Sequence, residues 1–157
     1  YKETTLPILM KGCFGNSYSL PLLKEDSLAS GLMNEEEFIP YCTFKTNGDY
    51  YAIIRLAAAD CYIPFLTTYD KNGKVIDEED IAIGYCGSGP GFRCEEYAII
   101  KSDFSIYTSD TISEVEIDSL GEEIGSTRIH YVLYKKGRLL SSGKIELTDT
   151  IRQILKN

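Results

Sequence analysis

The feature that most constrains the fold is a run of short apolar segments separated by turn residues between positions 50 and 85. Residues 50–56, 65–69 and 74–77 are rich in tyrosine, phenylalanine and β-branched side chains, which favour strands. Between the last two, Asn72-Gly73 readily adopts the positive φ values of a tight hairpin turn. This stretch predicts a β-meander, in which strands that are neighbours in sequence pair antiparallel.

Similar segments extend the meander on both sides. Because residues 81–85 and 95–101 follow one another with only a glycine-rich loop between them, we expect them to be adjacent antiparallel strands. A last hairpin is expected from residues 127–134 and 138–147 across a turn at 135–137. The remaining predicted strands are a short one at residues 6–10, residues 41–45 and 104–108, and a half-exposed segment at 115–117.

Short helical pieces are expected near both ends of the chain. In residues 24–39, the spacing of Leu28 and Leu32 suits one helical turn, and Asn34 is a suitable N-cap. At the C-terminus, Thr148 or Asp149 is a candidate cap for a final helix over residues 148–157.

The length of 157 residues predicts a single domain, residues 1–157. It divides into an irregular lead-in with short helices (1–40), the meander (41–147) and the C-terminal helix (148–157). About eight or nine strands in one domain must curl or split into two layers. The predicted fold class is therefore all-β, first as an up-and-down barrel and second as a two-layer sandwich.

The formal net charge of −8 excludes some classes of partner. A nucleic-acid-binding protein needs a basic stripe to displace counterions from phosphates, and none is visible, so we expect no nucleic-acid partner. No apolar run approaches the ~18–20 residues that span a bilayer, so we expect no membrane-spanning segment in this sequence.

The five cysteines favour an oxidising compartment outside the cytosol rather than a metal site. None forms a Cys-x-x-Cys pair and His130 is the only histidine, so we expect neither a metal nor another cofactor. In an exported protein, which we expect, five cysteines are typical of up to two disulfides and one free thiol. In a cytosolic protein they would be small buried apolar residues. Because the sequence begins at Tyr1 rather than Met, we also expect that an upstream segment, such as a signal peptide, has been removed.

We predict a disulfide between Cys86 and Cys94. If residues 81–85 and 95–101 pair as expected, the two cysteines lie at the base of the connecting loop, at a Cα separation that a disulfide can bridge. The bond would hold the glycine-rich loop at one rim of the sheet and present Phe92 and Arg93 as an apolar and a cationic contact.

Tyrosine supplies most of the aromatic side chains, with 12 Tyr, 6 Phe and no Trp. Aromatic rings that line a groove can stack on a sugar or hold a small apolar ligand, although cross-strand packing explains most of them. The candidate ligand-binding residues are Phe92, Arg93, Tyr85 and Tyr97. The tyrosines in or beside predicted strands are Tyr50, Tyr51, Tyr62, Tyr69, Tyr85, Tyr97, Tyr107, Tyr131 and Tyr134.

No catalytic motif is present. Residues 70–73 resemble the start of a calcium-binding loop, but the later ligand positions of such a loop are missing. Residues 87–91 are glycine-rich but lack the Gly-Lys-Ser/Thr ending of a phosphate-binding loop. A Ser–His–Asp triad would have to use His130, but the sequence contains no nucleophile-elbow motif. Carboxylates occur in close pairs that could act in a glycosidase-like cleft, so a hydrolase is the rival hypothesis. These pairs are Glu78 with Asp80, Glu114 with Glu116, and Glu122 with Glu123.

One resemblance to known proteins rests on two features. The first is the turn segment of residues 69–77, Tyr-Asp-Lys-Asn-Gly-Lys-Val-Ile-Asp, and the second is the Cys86–Cys94 glycine loop that follows it within a β-meander. Over residues 41–147 the chain resembles uncharacterised exported lipoproteins of gut Bacteroidetes. The resemblance implies a secreted or envelope location, with a lipidated cysteine upstream of Tyr1, and it implies no activity.

The sequence therefore predicts a non-enzymatic β-domain, either secreted or anchored at the cell envelope, that binds a ligand or partner. The expected partner is a small molecule, a glycan or an envelope protein. The alternative is the carboxylate-dependent hydrolase.

Overall fold

A computed structural model of the chain describes residues 3–11, 38–57, 63–84, 86–87 and 89–156. These residues form eleven strands in two sheets, together with a single 3₁₀ turn at Gly125–Thr127. The predicted all-β class is therefore confirmed. None of the helices in the described part of the chain is long and apolar enough to cross a membrane.

The first sheet has five strands in the order β1-β3-β4-β5-β6. Strands β3 to β6 are consecutive antiparallel neighbours, as the meander predicts, whereas β1 lies parallel to β3 at the edge. The strands are β1 (Glu3–Thr4), β3 (Phe38–Phe44), β4 (Tyr51–Ala57), β5 (Ile63–Tyr69) and β6 (Val75–Asp80).

The second sheet has the order β10-β9-β8-β7-β2, and β11 also pairs with β9. All of these pairs are antiparallel. The strands are β2 (Ile8–Lys11), β7 (Phe92–Ile100), β8 (Ser105–Glu114), β9 (Ile129–Leu139), β10 (Ile145–Leu147) and β11 (Ile151–Ile154).

One buried cluster takes side chains from both sheets. Since successive side chains of a strand point to opposite faces, each strand contributes every second residue to it. Ile54 and Leu66 represent the first sheet, Ile100 and Ile106 the second, and all four are at most 2% exposed. The inner face of each sheet is the face that contributes to this cluster.

Hydrogen bonds join the turns of one sheet to the strands of the other. The Tyr50 hydroxyl donates to the Leu140 carbonyl at 2.9 Å, and the Thr68 hydroxyl donates to the Gly143 carbonyl at 2.7 Å. These bonds satisfy polar groups that the apolar cluster would otherwise leave without partners.

The expected closed barrel is wrong, because the strand pairs divide into two separate sheets. The chain begins in the first sheet with β1, crosses to the second with β2, and returns for β3 to β6 before crossing again to β7. A continuous up-and-down barrel has no such crossings.

The expected strand at 81–85 is one of these crossings. Residues 81–84 are not a strand, and Tyr85 lies outside the described residues. Ile81 and Ala82 are instead buried at 0% and 1% exposure, and the Ile81 amide donates to the Pro64 carbonyl at 2.9 Å. The apolar alternation of this segment thus reflects passage through the core rather than pairing with β7.

The last hairpin turns at a different place from the one predicted. Gly137 lies inside β9, where a Cβ would collide with the Glu146 carbonyl of β10, so this glycine permits close strand approach. The turn lies at Gly143, whose φ of 86° suits a tight reversal and whose amide donates to the Leu140 carbonyl at 3.0 Å.

The expected C-terminal helix is also wrong, because residues 151–154 form β11 and pair with β9. Pairing with an available strand edge overrides the local helical pattern of these residues. The predicted half-exposed strand at 115–117 is reduced to a single bridge between Ile117 and Glu123. The helical pieces expected within residues 24–39 fall largely outside the described residues, and β3 already begins at Phe38.

Candidate ligand-binding face

The predicted Cys86–Cys94 disulfide is present, with the two Cα atoms 5.2 Å apart. The reasoning behind it was wrong, however, because the bond does not join two paired strands. Cys86 belongs to the crossing between the sheets, and Cys94 is the third residue of β7. The disulfide therefore fastens the crossing segment to the strand that receives it.

Phe92 and Arg93 are the first two residues of β7 rather than part of a loop. Consecutive strand residues face opposite sides of a sheet, so these two side chains do not form one contact surface. The Arg93 guanidinium bonds the Glu123 carboxylate at 3.1 Å. Tyr85 lies outside the described residues.

Tyr97, the fourth candidate residue, belongs to a group of three tyrosines on the outer face of the second sheet. The ring centroids of Tyr97 and Tyr107 are 6.1 Å apart in an edge-to-face arrangement. Those of Tyr107 and Tyr134 are 5.9 Å apart, with nearly parallel planes. All three side chains are half-buried. The rings thus form a continuous aromatic strip over three adjacent strands.

The strand register arranges the outer-face residues in three rows across the sheet. Each row runs from one strand to the next, so its members are separated by one interstrand spacing. The first row is Lys11, Tyr97, Ser109 and Tyr134; the second is Leu9, Ile99, Tyr107 and Lys136; the third is Lys101, Ser105, Arg138 and Glu146. These three rows are called the tyrosine face below.

Lysines border the rings at both sides of the tyrosine face. The Lys11 ammonium is 6.0 Å from the centroid of the Tyr97 ring, and the Lys136 ammonium is 5.6 Å from that of Tyr134. Both separations are within the ~6 Å range of a cation–π contact. Because Lys11 and Lys136 are exposed, each ammonium group also remains open to an anion from solvent.

An open depression of about 610 Å³ occupies the end of this face that includes the third row. This volume falls within the range of ordinary small-ligand sites, ~300–1,000 Å³. Its walls combine aromatic and aliphatic side chains with three cations and one carboxylate. The aromatic and charged residues of the lining are Tyr97, Tyr107, Lys101, Lys136, Arg138 and Glu146.

A second depression, of about 830 Å³, lies beside the first sheet near Tyr51 and Tyr69. Of the two lysines that line it, Lys71 is already engaged, because its ammonium bonds Asp49 at 3.4 Å and lies 4.1 Å from the Tyr51 ring centroid. The Lys71 ammonium therefore covers one face of the Tyr51 ring, on which a ligand would stack. This depression is the larger of the two but offers the weaker set of contacts.

Each of the three carboxylate pairs that suggested a hydrolase has at least one member held in another interaction. Glu78 pairs with Arg55, and Glu123 pairs with Arg128 as well as Arg93. Asp80 accepts from Lys135 at 2.6 Å, and Glu114 accepts from the Tyr131 hydroxyl at 2.6 Å.

The structure shows a carboxyl pair that the sequence reasoning missed. Glu96 and Asp110 are directly opposite on β7 and β8, both on the inner face, at 6% and 0% exposure. Burial, with the nearby charge of Asp110 as a second cause, raises the pKa of Glu96 to about 8. Since neither group reaches solvent, a polysaccharide substrate has no access to them.

The same region also brings two sulfur atoms close to a carboxylate. The sulfur atoms of Cys86 and Cys94 and a carboxylate oxygen of Asp110 lie within 4.8 Å of one another. Sulfurs joined in a disulfide are not thiolates and do not ligate a metal as thiolates do. The grouping is therefore a packed interior feature rather than a metal centre.

Sequence reasoning named Tyr97 but did not connect it with Tyr107, Tyr134 or the bordering lysines. The missing information was register, because strands β7, β8 and β9 place these side chains together only at one pairing offset. No protein-family model, curated protein or solved structure matches this chain.

Proposed function

We propose that this chain is an exported, non-enzymatic binding domain that holds a saccharide against the tyrosine face. In this proposal the two sheets are the layers of a sandwich, and the outer layer surface carries the site. The observation that carries it is the strip of Tyr97, Tyr107 and Tyr134 rings over three adjacent strands. Sugar rings present apolar C–H faces that stack on such rings, while their hydroxyls bond flanking polar groups.

A rigid support favours a binding role for these rings. All three tyrosines lie inside strands, and Ser109 between Tyr97 and Tyr134 is only 5% exposed because the surrounding side chains cover it. A preorganised surface loses little conformational entropy when a ligand binds. The tyrosine face therefore meets the physical requirements of a lectin-like platform.

Binding is favoured over hydrolysis because the carboxylates in the tyrosine face and directly beneath it are unsuited to catalysis on a bound sugar. The Glu96–Asp110 pair is buried, and the tyrosine face itself contributes Glu146 to the depression. Glycosidase chemistry needs two carboxyl groups on either side of the scissile bond. One carboxylate in an open depression does not supply that arrangement.

An exported location is supported by the Cys86–Cys94 bond, since disulfides persist in oxidising compartments. The proposed location is the secreted fraction or the cell envelope, with lipid anchoring through an upstream cysteine as the resemblance implies. Trapping free thiols in intact cells before lysis tests this. Recovery of reduced Cys86 and Cys94 would contradict export.

The binding proposal is tested by titrating a panel of oligosaccharides into the purified chain and following heat or tyrosine fluorescence. Tyr107→Ala removes the central ring and should weaken binding about tenfold, a factor that corresponds to ~1.4 kcal/mol. Tyr107→Phe keeps the ring and should retain most of the affinity.

Tyr51→Ala is the matched control, because Tyr51 is an exposed strand tyrosine of the other sheet at 54% exposure. It should leave the affinity unchanged, and circular dichroism should show that all three variants fold. Equal loss in Tyr51→Ala and Tyr107→Ala would remove the tyrosine face from the proposal. Chromatography of the same mixtures tests for cleavage products, whose appearance would favour the hydrolase instead.

A further inference from the structure

We propose that the saccharide bound by the tyrosine face is acidic, with its anionic group seated in the depression at Lys101, Lys136 and Arg138. This inference rests on the proposed function and adds the chemical class of the ligand. Three cations and one carboxylate line the depression, on a chain whose formal net charge is −8. The local charge is therefore opposite in sign to that of the whole protein.

The cations of this face differ from most other basic side chains of the described residues. Six basic residues of the described ranges make ion pairs with Asp or Glu, among them Arg55, Arg128 and Lys135. Within the described ranges, no ion pair involves Lys101, Lys136 or Arg138, and all three are exposed. Their charges are thus available to a ligand.

The geometry of the depression suits a carboxylate or sulfate group. Arg138 offers a planar fork of donors that can bind two oxygens at once, while Lys101 and Lys136 act as point charges at its sides. Glu146 is directly opposite Arg138 in the register, on the edge strand β10. It limits how many anionic groups the depression accepts and favours one group at a time.

The rest of the face explains why the anion is carried by a saccharide chain. Lys11 on β2 and Lys136 on β9 are three interstrand spacings apart across the sheet, ~14 Å, and two residues apart along it, ~7 Å, with the tyrosine rings between them. A simple anion would use the depression and leave the rings without a role. An oligosaccharide with spaced acid groups contacts the rings through its sugar faces and both lysines through its charges.

The test compares ligands that differ only in charge. Oligogalacturonides are titrated against the same oligomers after reduction of their carboxyl groups, and dextran sulfate against dextran. The acidic member of each pair should bind about tenfold more tightly at low salt, and the preference should shrink as salt screens the charges. Poly-glutamate is titrated as an acidic polymer without sugar rings and should bind more weakly than oligogalacturonides.

Two matched double variants locate the effect. Lys136→Gln with Arg138→Gln should remove about tenfold of the affinity for oligogalacturonides and a much smaller factor of the affinity for the carboxyl-reduced oligomers, because both residues also border the neutral sugar site. Lys74→Gln with Lys156→Gln removes the same formal charge from exposed positions away from the face and should change neither.

The outcomes separate this inference from the proposed function. If acidic and neutral oligomers bind equally and Tyr107→Ala weakens both, the acidic class is wrong and saccharide binding stands. If both double variants lose affinity equally, the loss reflects the net charge of the protein, and the depression is not the site that binds the anionic group. If poly-glutamate binds and no saccharide does, or if nothing binds, both proposals are overturned.

Discussion

Glu96 on β7 and Asp110 on β8 face each other directly, with both carboxyl groups in the interior beneath the tyrosine face. Burial, with the charge of Asp110 as a second cause, raises the pKa of Glu96 from 4.5 to about 8. At neutral pH the folded protein therefore holds a proton on Glu96 that the unfolded chain has released.

This difference predicts that the free energy of unfolding falls as pH rises from about 4.5 to about 8. The slope from one such group is at most ~1.4 kcal/mol per pH unit, and above the folded pKa the contribution becomes flat. Glu96→Gln, a neutral isostere, should remove this slope in urea titrations across the range. Exposed Glu95→Gln on the same strand should keep it. Parallel pH profiles for the wild type and Glu96→Gln would contradict the prediction.

Replacing both cysteines of the Cys86–Cys94 bond by serine should lower the free energy of unfolding by roughly 2.5 kcal/mol. The chain-entropy model gives this value for a loop whose ends are 8 residues apart. Chemical denaturation measures the loss, and peptide mapping without reduction should recover the two cysteines in one linked species from the wild type. A double variant as stable as the wild type would show that the bond does not restrict the unfolded chain.

Cys42 should resist alkylation in the native protein. It is a free cysteine with 0% exposure, and burial raises the pKa of its thiol to about 12, so both access and the thiolate fraction are small. Mass spectrometry after iodoacetamide treatment at pH 8 should find Cys42 unlabelled until urea unfolds the chain. After mild reduction, half-exposed Cys86 should be labelled first. Labelling of Cys42 before Cys86 would contradict its burial.

Gly143→Ala should destabilise the fold by about 2–3 kcal/mol. Gly143 has a φ of 86°, and an added Cβ would lie 2.9 Å from the Ile76 Cδ1 atom and 3.3 Å from the Tyr50 Cγ atom. Gly121→Ala is the matched control, because Gly121 has a φ of 89° with nothing within 4 Å of its Cβ position. It should cost only about 1 kcal/mol from backbone strain. Equal losses in thermal unfolding would mean that packing around Gly143 contributes nothing.

The hairpin between β5 and β6 shows how much of the fold local sequence can predict. The Asp70 carboxylate accepts from the amides of Asn72 and Lys74 at 2.8 and 2.9 Å, and Gly73 has a φ of 84°. All of these interactions lie within five residues. A turn of this kind is specified by its own side chains and needs no distant contact.

The candidate site could be predicted only in part, because it depends on contacts between distant segments. Tyr97 was recognisable as a strand tyrosine, but its neighbours Lys11 and Tyr134 are far away in the sequence. Phe92 and Arg93 were placed in a loop because β7 was expected to begin at residue 95. When a strand begins a few residues earlier than expected, side chains assigned to a loop lie instead on opposite faces of the sheet.

The amino-acid sequence by itself determined the all-β class and the turn at residues 70–73, since propensity and turn chemistry act over a few residues. The short separation of Cys86 and Cys94 favours their bond, but the crossing between the sheets brings the two cysteines together. Only the tertiary structure decided that β2 joins the second sheet, that β11 is a strand, and that the chain forms two sheets rather than a barrel. Those choices depend on which edges and apolar faces are available after the other strands have packed. Free energies of pairing and burial at that stage exceed the small local preferences of each segment.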